Sequence, residues 1–557
     1  MALRSFATAL RTLRDAAFRF DAGGQAVAAR ALADLAATRL PSGPVLTRYH
    51  DLLLFLRAHP PDPAGLRLIE SELRRLARHV EGLSAPARER FVNEGLPHAD
   101  TLTRFSHDTV RRVLQRADLR VQFDHAGEPR LDLNAVLRLT LPAPEWSHTT
   151  AGLGDADLLA ALKVPPKARL GFLVDELARL DDRPFVKDHL FDALDLFVRV
   201  APRRAAFSKA NNRLPMPAVF FQHDRLKRFD TAALMNRPLP RPRAGPAWRV
   251  REGREAREAP EAREGAGRAR AVQVIRDALT LTARETDPGT YLDERSLRLF
   301  DLERGLSVAI FGMTAERQLP YESYVGFMLF KNGLAAAYGG AWVFGARADF
   351  GMNIFEPYRG GESGFMMCQV LRTYRQAFGV RHFEVDAHQF GLDNPDGIAS
   401  GAFWFYHRHG FRPLDPALAR LAERESRRLA ATPGARSSEK TLQAFTGSSV
   451  ALHFGGPVPV ALPALVERIT ALIARQFGGD RQAAEQAAVA SLARQGCALR
   501  AATQPGAQRA VAEWALLAAA LRVTDPLRLE HLRRLVRLKP RDVFGYQRTL
   551  LRFLGQV

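Results

Sequence analysis

A glycine-rich turn between a predicted strand and a predicted helix constrains the fold of this chain more than any other feature. An apolar strand pattern covers 349–355, and the turn follows over 358–364. A helical pattern covers 365–378, Gly379 stands where a helix-ending glycine belongs, and a second strand is predicted over 382–387. These elements form a βαβ unit. Because N–H groups at a helix start lack intrahelical partners, the turn is a candidate site for a phosphate or pyrophosphate.

The segments that follow complete a longer pattern. After the second strand come Asn394-Pro395, a further helix and the motif Tyr406-x-x-x-Gly410-Phe411. In this order the segments resemble the acyl-CoA-binding half of the GNAT N-acetyltransferase superfamily, over roughly 300–415. The motif from Tyr406 to Phe411 is a more specific signal than the glycine-rich turn, because such a turn alone is weak evidence. The resemblance implies a GNAT-like sheet and acetyl-CoA or another acyl-CoA as co-substrate, with no metal.

The turn departs from the family at one position. The family reads Arg/Gln-x-x-Gly-x-Gly/Ala, and this chain has Arg359 and Gly364 at the outer positions but Glu362 in place of the first glycine. By resemblance, strand backbone and Asn394 would contact the pantetheine arm, and turn N–H groups would hold the pyrophosphate. A plain turn remains the alternative for Asn394-Pro395. The implied cofactor-binding residues are Ile354, Phe355, Arg359, Gly360, Gly361, Ser363, Gly364 and Asn394.

Acyl transfer to an amine needs a base and an acid. By resemblance Tyr406 is the acid, although a core aromatic is the alternative for a tyrosine among Phe403, Trp404 and Phe405. The base candidates come from the strand over 382–387 and its extension, where ionisable residues alternate with apolar ones and therefore share one face. The alternative is a sheet edge exposed to solvent. These ionisable residues are His382, Glu384, Asp386 and His388. The base candidates are Glu384, Asp386 and His388, with Glu356 as a fourth.

An antiparallel meander is predicted before the turn. Strand patterns cover 306–311, 324–331 and 334–344, and Asn332-Gly333 between the last two is a strong two-residue hairpin signal. Together with the βαβ unit, these strands predict an α+β fold with a central mixed sheet.

Helical patterns on both sides of this sheet suggest four regions. Residues 1–236 and 417–557 are expected to be mostly helical, and 271–416 is the acyltransferase-like domain. Between them, 237–270 is rich in arginine, glutamate and proline and has few large apolar side chains. Such a segment cannot bury enough apolar area to offset its ordering entropy, so a flexible linker is predicted.

The chain is strongly basic, with 80 Lys and Arg against 60 Asp and Glu and a net charge of +20. This charge would suit nucleic acid, a carrier protein or an anionic membrane surface as partner, but arginines spread over solvated helices would give the same total. The two cysteines have no metal-ligand or disulfide pattern, and Cys368 is expected in the core. Without an export signal or membrane-spanning run, a cytoplasmic location is expected.

Two functions from different classes fit these patterns. The first is an N-acyltransferase that moves an acyl group from acyl-CoA, or from a carrier protein or aminoacyl-tRNA, to an unknown amine. The second is a helical interaction protein whose acyltransferase-like domain no longer binds its cofactor. The large helical flanks and Glu362 favour the second. The acceptor cannot be inferred from sequence, because loops would determine it.

Overall fold

The computed structural model describes residues 2–142, 158–220, 229–243, 260–499 and 507–556. They form an α+β structure with an eight-stranded mixed sheet and a separate three-stranded antiparallel sheet. The small sheet has the order β1-β3-β2, formed by β1 (Thr101–Arg104), β2 (Leu119–Ala126) and β3 (Leu196–Pro202). In the described ranges, no helix is long and apolar enough to cross a membrane.

The described residues of the N-terminal region are mostly helical. Its helices are α1 (Ala2–Ala17), α2 (Ala22–Ala36), α3 (Pro44–Ala58), α4 (Pro63–Glu81), α5 (Ala85–Arg88), α6 (His107–Leu114), α7 (Leu133–Thr140), α8 (Leu158–Ala161), α9 (Arg169–Ala178), α10 (Pro184–Ala193) and α11 (Thr231–Asn236).

The large sheet has the strand order β10-β11-β9-β8-β7-β6-β5-β4. Only the β8–β9 pair is parallel, and the other pairs are antiparallel. The strands are β4 (Arg298–Asp301), β5 (Leu306–Phe311), β6 (Ser323–Lys331), β7 (Leu334–Phe344), β8 (Arg347–Ile354), β9 (His382–Val385), β10 (Arg412–Pro413) and β11 (Val450–His453). The helices of this part are α12 (Pro260–Leu281), α13 (Asp287–Thr290), α14 (Ser363–Phe378), α15 (Pro395–Ser400) and α16 (Ala402–Arg408).

Helices cover both faces of the sheet because its strand side chains alternate in direction. Val308 and Ile310 belong to the same buried cluster as side chains of α14, whereas Ala309 and Phe311 belong to a cluster with α12. The C-terminal region adds helices α17 (Pro416–Ala431), α18 (Glu439–Phe445), α19 (Leu462–Phe477), α20 (Arg481–Arg494), α21 (Ala507–Ala520), α22 (Pro526–Leu538) and α23 (Val543–Phe553).

The predicted hairpin is confirmed, and its tip contacts the N-terminal helices. Asn332 and Gly333 have φ of 47° and 82°, as a two-residue turn with two left-handed positions requires. Arg57 Nη1 donates to Asn332 O over 2.7 Å, and Asn332 Nδ2 donates to Ala58 O over 2.9 Å. The end of α3 is therefore bonded directly to the tip of the central sheet.

Two of the proposed region boundaries differ from the structure. Residues 260–270 of the predicted linker belong to α12, whose later residues Val272 and Ile275 are buried against the sheet. Near the start of the predicted linker, Arg243 forms an ion pair with Asp301 at 2.7 Å. Residues 244–259 of the predicted linker lie outside the described residues. The boundary at 416 also divides the sheet, because β11 comes from the C-terminal region and lies between β9 and β10.

Candidate functional site

The pairing between the two parallel strands is short, and we call the stretch of the β8 edge beyond it the gap between β8 and β9. β8 and β9 pair only at Arg347–His382, Ala348–Phe383 and Asp349–Glu384. β8 then continues to Ile354 along β7, whereas β9 ends at Val385. The edge of β8 from Phe350 to Ile354 therefore has no partner in β9. A Cβ on Gly351 would lie 3.6 Å from Gln389 Nε2, so the Gln389 side chain lies across this gap. Gln389 was not predictable from the sequence, because no motif distinguishes it.

The glycine-rich turn lies beside this gap and begins helix α14. Gly360 has a φ of 83°, a left-handed conformation that favours glycine. Within the described ranges, no acceptor takes a hydrogen bond from the backbone N–H of Gly360, Gly361, Ser363 or Gly364. These donors lie at the positive end of a 16-residue helix, so they could hold an anion.

Aromatic side chains from the N-terminal region pack against the same turn. A Cβ on Gly360 would lie 3.3 Å from Phe18 Cε1, and one on Gly361 would lie 3.1 Å from Phe55 Cε2. The rings of Phe18 and Phe55 stack with centroids 4.4 Å apart. A Cβ on Gly364 would clash with His409. These three glycines therefore also allow close packing, a purpose separate from anion binding.

Glu362 points into the protein and does not face the free N–H groups. Its Oε2 lies 2.6 Å from Lys331 Nζ, its Oε1 lies 3.0 Å from Arg304 Nη1, and His59 Nε2 is 3.6 Å away. Burial alone would raise the pKa of Glu362, but contact with His59 and the charge of Lys331 lower it to about 2. The carboxylate is therefore ionised and neutralised internally. An anion at the turn would not face an uncompensated negative charge.

Tyr406 lies on α16, in an aromatic part of the core. It is 4% exposed, and its ring centroid lies 6.3 Å from that of Phe390 and 5.5 Å from that of Phe411. Burial raises the pKa of Tyr406 well above its ordinary value, so the hydroxyl stays protonated. Phe390 ends the 3₁₀ turn Ala387–Phe390 that follows β9. The structure thus brings Tyr406 toward the same end of the sheet as the base candidates.

The four ionisable residues of the predicted strand do not share one strand face. β9 ends at Val385, because the Asp386 side chain accepts the His388 N–H over 2.8 Å and caps a 3₁₀ turn. His382 is buried, and Glu384 forms an ion pair with Arg347. The contact with His382 and the charge of Arg347 lower the pKa of Glu384. The lowered pKa makes Glu384 a poor base.

His388 is the best placed of the base candidates. It is exposed, and its Nδ1 lies 2.8 Å from Leu392 O. Because a carbonyl oxygen only accepts, Nδ1 carries the proton in this bond, and Nε2 has the free lone pair in the neutral ring. Asp386 and Glu356 are also exposed, but Asp386 uses one carboxylate oxygen as a cap.

Several predicted contacts to the pantetheine arm are already used within the protein. Asn394 caps α15 by accepting the Gly397 N–H over 3.2 Å, and its Nδ2 donates to His388 O over 2.9 Å. Arg359 Nε donates to Ile354 O over 3.1 Å, and the Phe355 N–H donates to Ala336 O over 3.0 Å. To contact Ile354 O, a ligand would have to displace the hydrogen bond from the exposed Arg359 side chain. Otherwise it would have to bind backbone groups that have no partner within the protein.

Cys368 is a core residue, as the sequence predicted. It is fully buried on α14, and burial raises the pKa of its thiol to about 12. The described residues contain no cluster of three or more His, Cys, Asp or Glu side chains able to hold a metal ion.

Comparison with known proteins gives no relative. No protein-family model, no curated protein and no solved structure matches this chain.

Proposed function

We propose that the eight-stranded sheet and its helices form a GNAT-like N-acyltransferase domain, with acyl-CoA bound between β8 and β9. One observation carries this proposal: β9 pairs with only the first part of β8, and the turn after β8 has unpaired backbone N–H groups at the start of a long helix. The gap is where the family resemblance puts the pantetheine arm, and the turn is where it puts the pyrophosphate. The inward orientation of Glu362 removes the repulsion that its carboxylate would otherwise cause.

The proposed proton transfers use His388, which is exposed, and Tyr406, which is buried. The acceptor amine attacks the thioester carbonyl, a carbon–nitrogen bond forms and the carbon–sulfur bond breaks. His388 Nε2 takes the proton from the amine, and the Tyr406 hydroxyl gives one to the leaving sulfur. Gln389 lies across the gap near Gly351 and would contact the pantetheine arm or the acyl group.

The activity is tested by incubating the protein with acetyl-CoA and longer acyl-CoAs, together with amine mixtures, and measuring free CoA thiol and acylated products. The proposal expects acceptor-dependent thiol release that falls steeply in His388→Gln, which keeps a polar side chain but removes the base. Asp393→Asn on the neighbouring loop is the control and should leave the rate unchanged. Thiol release at the same rate in His388→Gln would remove His388 from the mechanism.

A non-catalytic binding role is the second candidate, and the packing on the turn favours it. Phe18 and Phe55 contact Gly360 and Gly361, and Asn394 and Phe355 make internal bonds instead of facing a ligand. In that case the domain supports the helical regions, which carry the interaction surface. This role predicts no binding of CoA at any acyl length. Nucleic acid, a carrier protein and an anionic membrane surface remain the partners proposed from the charge of +20.

A further inference from the structure

A cavity of about 300 Å³ lies among the first four helices, apart from the gap between β8 and β9. The end of α1, one face of α2, the end of α3 and the start of α4 surround it. Ala28 and Leu32 of α2 are one turn apart and face it together, and Leu68 of α4 lines another wall. The cavity exists because small side chains of α2 and α4 stand where larger ones would close the space between the helices.

The walls are mostly apolar. The Asp62 carboxylate lines the cavity but accepts the Gly65 N–H over 2.7 Å as the cap of α4. His59 Nδ1 lies 3.0 Å from Phe55 O, and burial lowers the pKa of His59. Gln25, which is half-buried, is the remaining polar side chain of the lining. Mostly apolar walls favour an apolar group over a charged one.

We propose that this cavity binds the hydrocarbon chain of a fatty acid or fatty-acyl compound. An apolar cavity of roughly 150 Å³ is large enough to take benzene, so this one has space for a chain of about eight to twelve carbons. The polar end of the ligand remains at the mouth, where the Gln25 amide can hydrogen-bond to it. The inference does not depend on acyl-CoA binding at the glycine turn.

Two lining residues also contact that turn. Phe55 and His59 line the cavity, and a Cβ on Gly361 would lie 3.1 Å from Phe55 and 3.6 Å from His59. A chain in the cavity therefore packs against the rings that hold the turn in place. Binding of the chain should raise the melting temperature of the protein because the ligand binds only the folded state.

The test is calorimetric titration of the full chain with free fatty acids from six to sixteen carbons. Affinity should rise about threefold to fourfold for each added methylene and level off when the chain fills the cavity. Titration with acyl-CoAs of the same lengths, in wild-type protein and in Gly361→Asp, distinguishes the two sources of the chain. A free fatty acid as ligand requires that the free acids bind wild-type protein more tightly than the acyl-CoAs do, and a fatty-acyl compound as ligand requires the reverse.

Ala28→Trp should lower chain binding at least tenfold by filling the cavity. The matched control is Val27→Trp on the same helix, because Val27 is 41% exposed and does not line the cavity. If Ala28→Trp does not fold, Ala64→Phe fills the space from α4 and should have the same effect. The proposal is overturned if no chain binds up to its solubility limit, if affinity does not depend on chain length, or if a folded cavity-filling variant binds as the wild type does.

Discussion

Lys331 and Glu362 form an ion pair, with 2.6 Å between Nζ and Oε2 and neither side chain exposed to solvent. Lys331 lies at the end of β6, next to the hairpin tip, and Glu362 lies between the glycine-rich turn and α14. Lys331 Nζ also donates to Arg304 O over 2.6 Å. The pair therefore fixes the glycine-rich turn to the sheet. It also holds the Glu362 side chain away from the anion site.

Removal of one partner of this pair should destabilise the protein strongly. Glu362→Gln leaves the buried Lys331 ammonium without its counter-charge, and breaking a buried pair in this way costs about 3–5 kcal/mol of unfolding free energy. Glu356→Gln is the matched control, because Glu356 is an exposed carboxylate near the same turn, and its effect should stay within about 0.5 kcal/mol. Chemical denaturation measures both. Equal stability of the two variants would show that the pair contributes nothing.

The stability difference between wild type and Glu362→Gln should depend on pH. The folded protein holds the pKa of Glu362 at about 2, against an ordinary value of 4.5. A lowered carboxyl pKa stabilises the folded state above the unfolded pKa, and this contribution is lost as the pH falls through the folded pKa. The difference should be full above about pH 5 and should shrink steadily toward pH 2. A difference that stays constant from pH 6 to pH 2.5 would contradict the assigned ionisation.

Gly361→Asp should abolish CoA binding, because it adds a side chain and a negative charge beside the N–H groups that would hold the pyrophosphate. Its Cβ would lie 3.1 Å from Phe55, so a modest fall in melting temperature is also expected. Gly43→Asp introduces the same residue at a helix N-cap where no atom lies within 4 Å. Calorimetry should find unchanged CoA affinity in this control. Loss of affinity in both variants would point to a general effect of charge.

Tyr406→Phe should keep CoA affinity and the melting temperature while turnover falls by about 10²–10⁴-fold, because proton donation typically contributes that much. The ring remains, so its packing against Phe390 and Phe411 is preserved. Single-turnover rates with a saturating acyl donor give the comparison. Unchanged turnover would reassign Tyr406 as a core aromatic.

The sequence predicted those elements whose signals are local. Asn332-Gly333 specifies its own hairpin, because both residues tolerate left-handed backbone, and Gly379 ends α14 with a φ of 74°. The orientation of Glu362 was not predictable, since its partners Lys331, Arg304 and His59 come from three distant segments. The contribution of β11 to the sheet was also missed, because strand pairing between distant segments has no local pattern.

Hydrogen–deuterium exchange of the peptide over residues 356–366, with and without CoA, tests the central claim most directly. The unpaired N–H groups of Gly360, Gly361, Ser363 and Gly364 should exchange rapidly in the free protein. If they hold the pyrophosphate, millimolar CoA should slow their exchange in the wild type and leave it unchanged in Gly361→Asp. Unchanged exchange of this peptide in wild-type protein at saturating CoA would contradict the acyl-CoA site and favour the non-catalytic role.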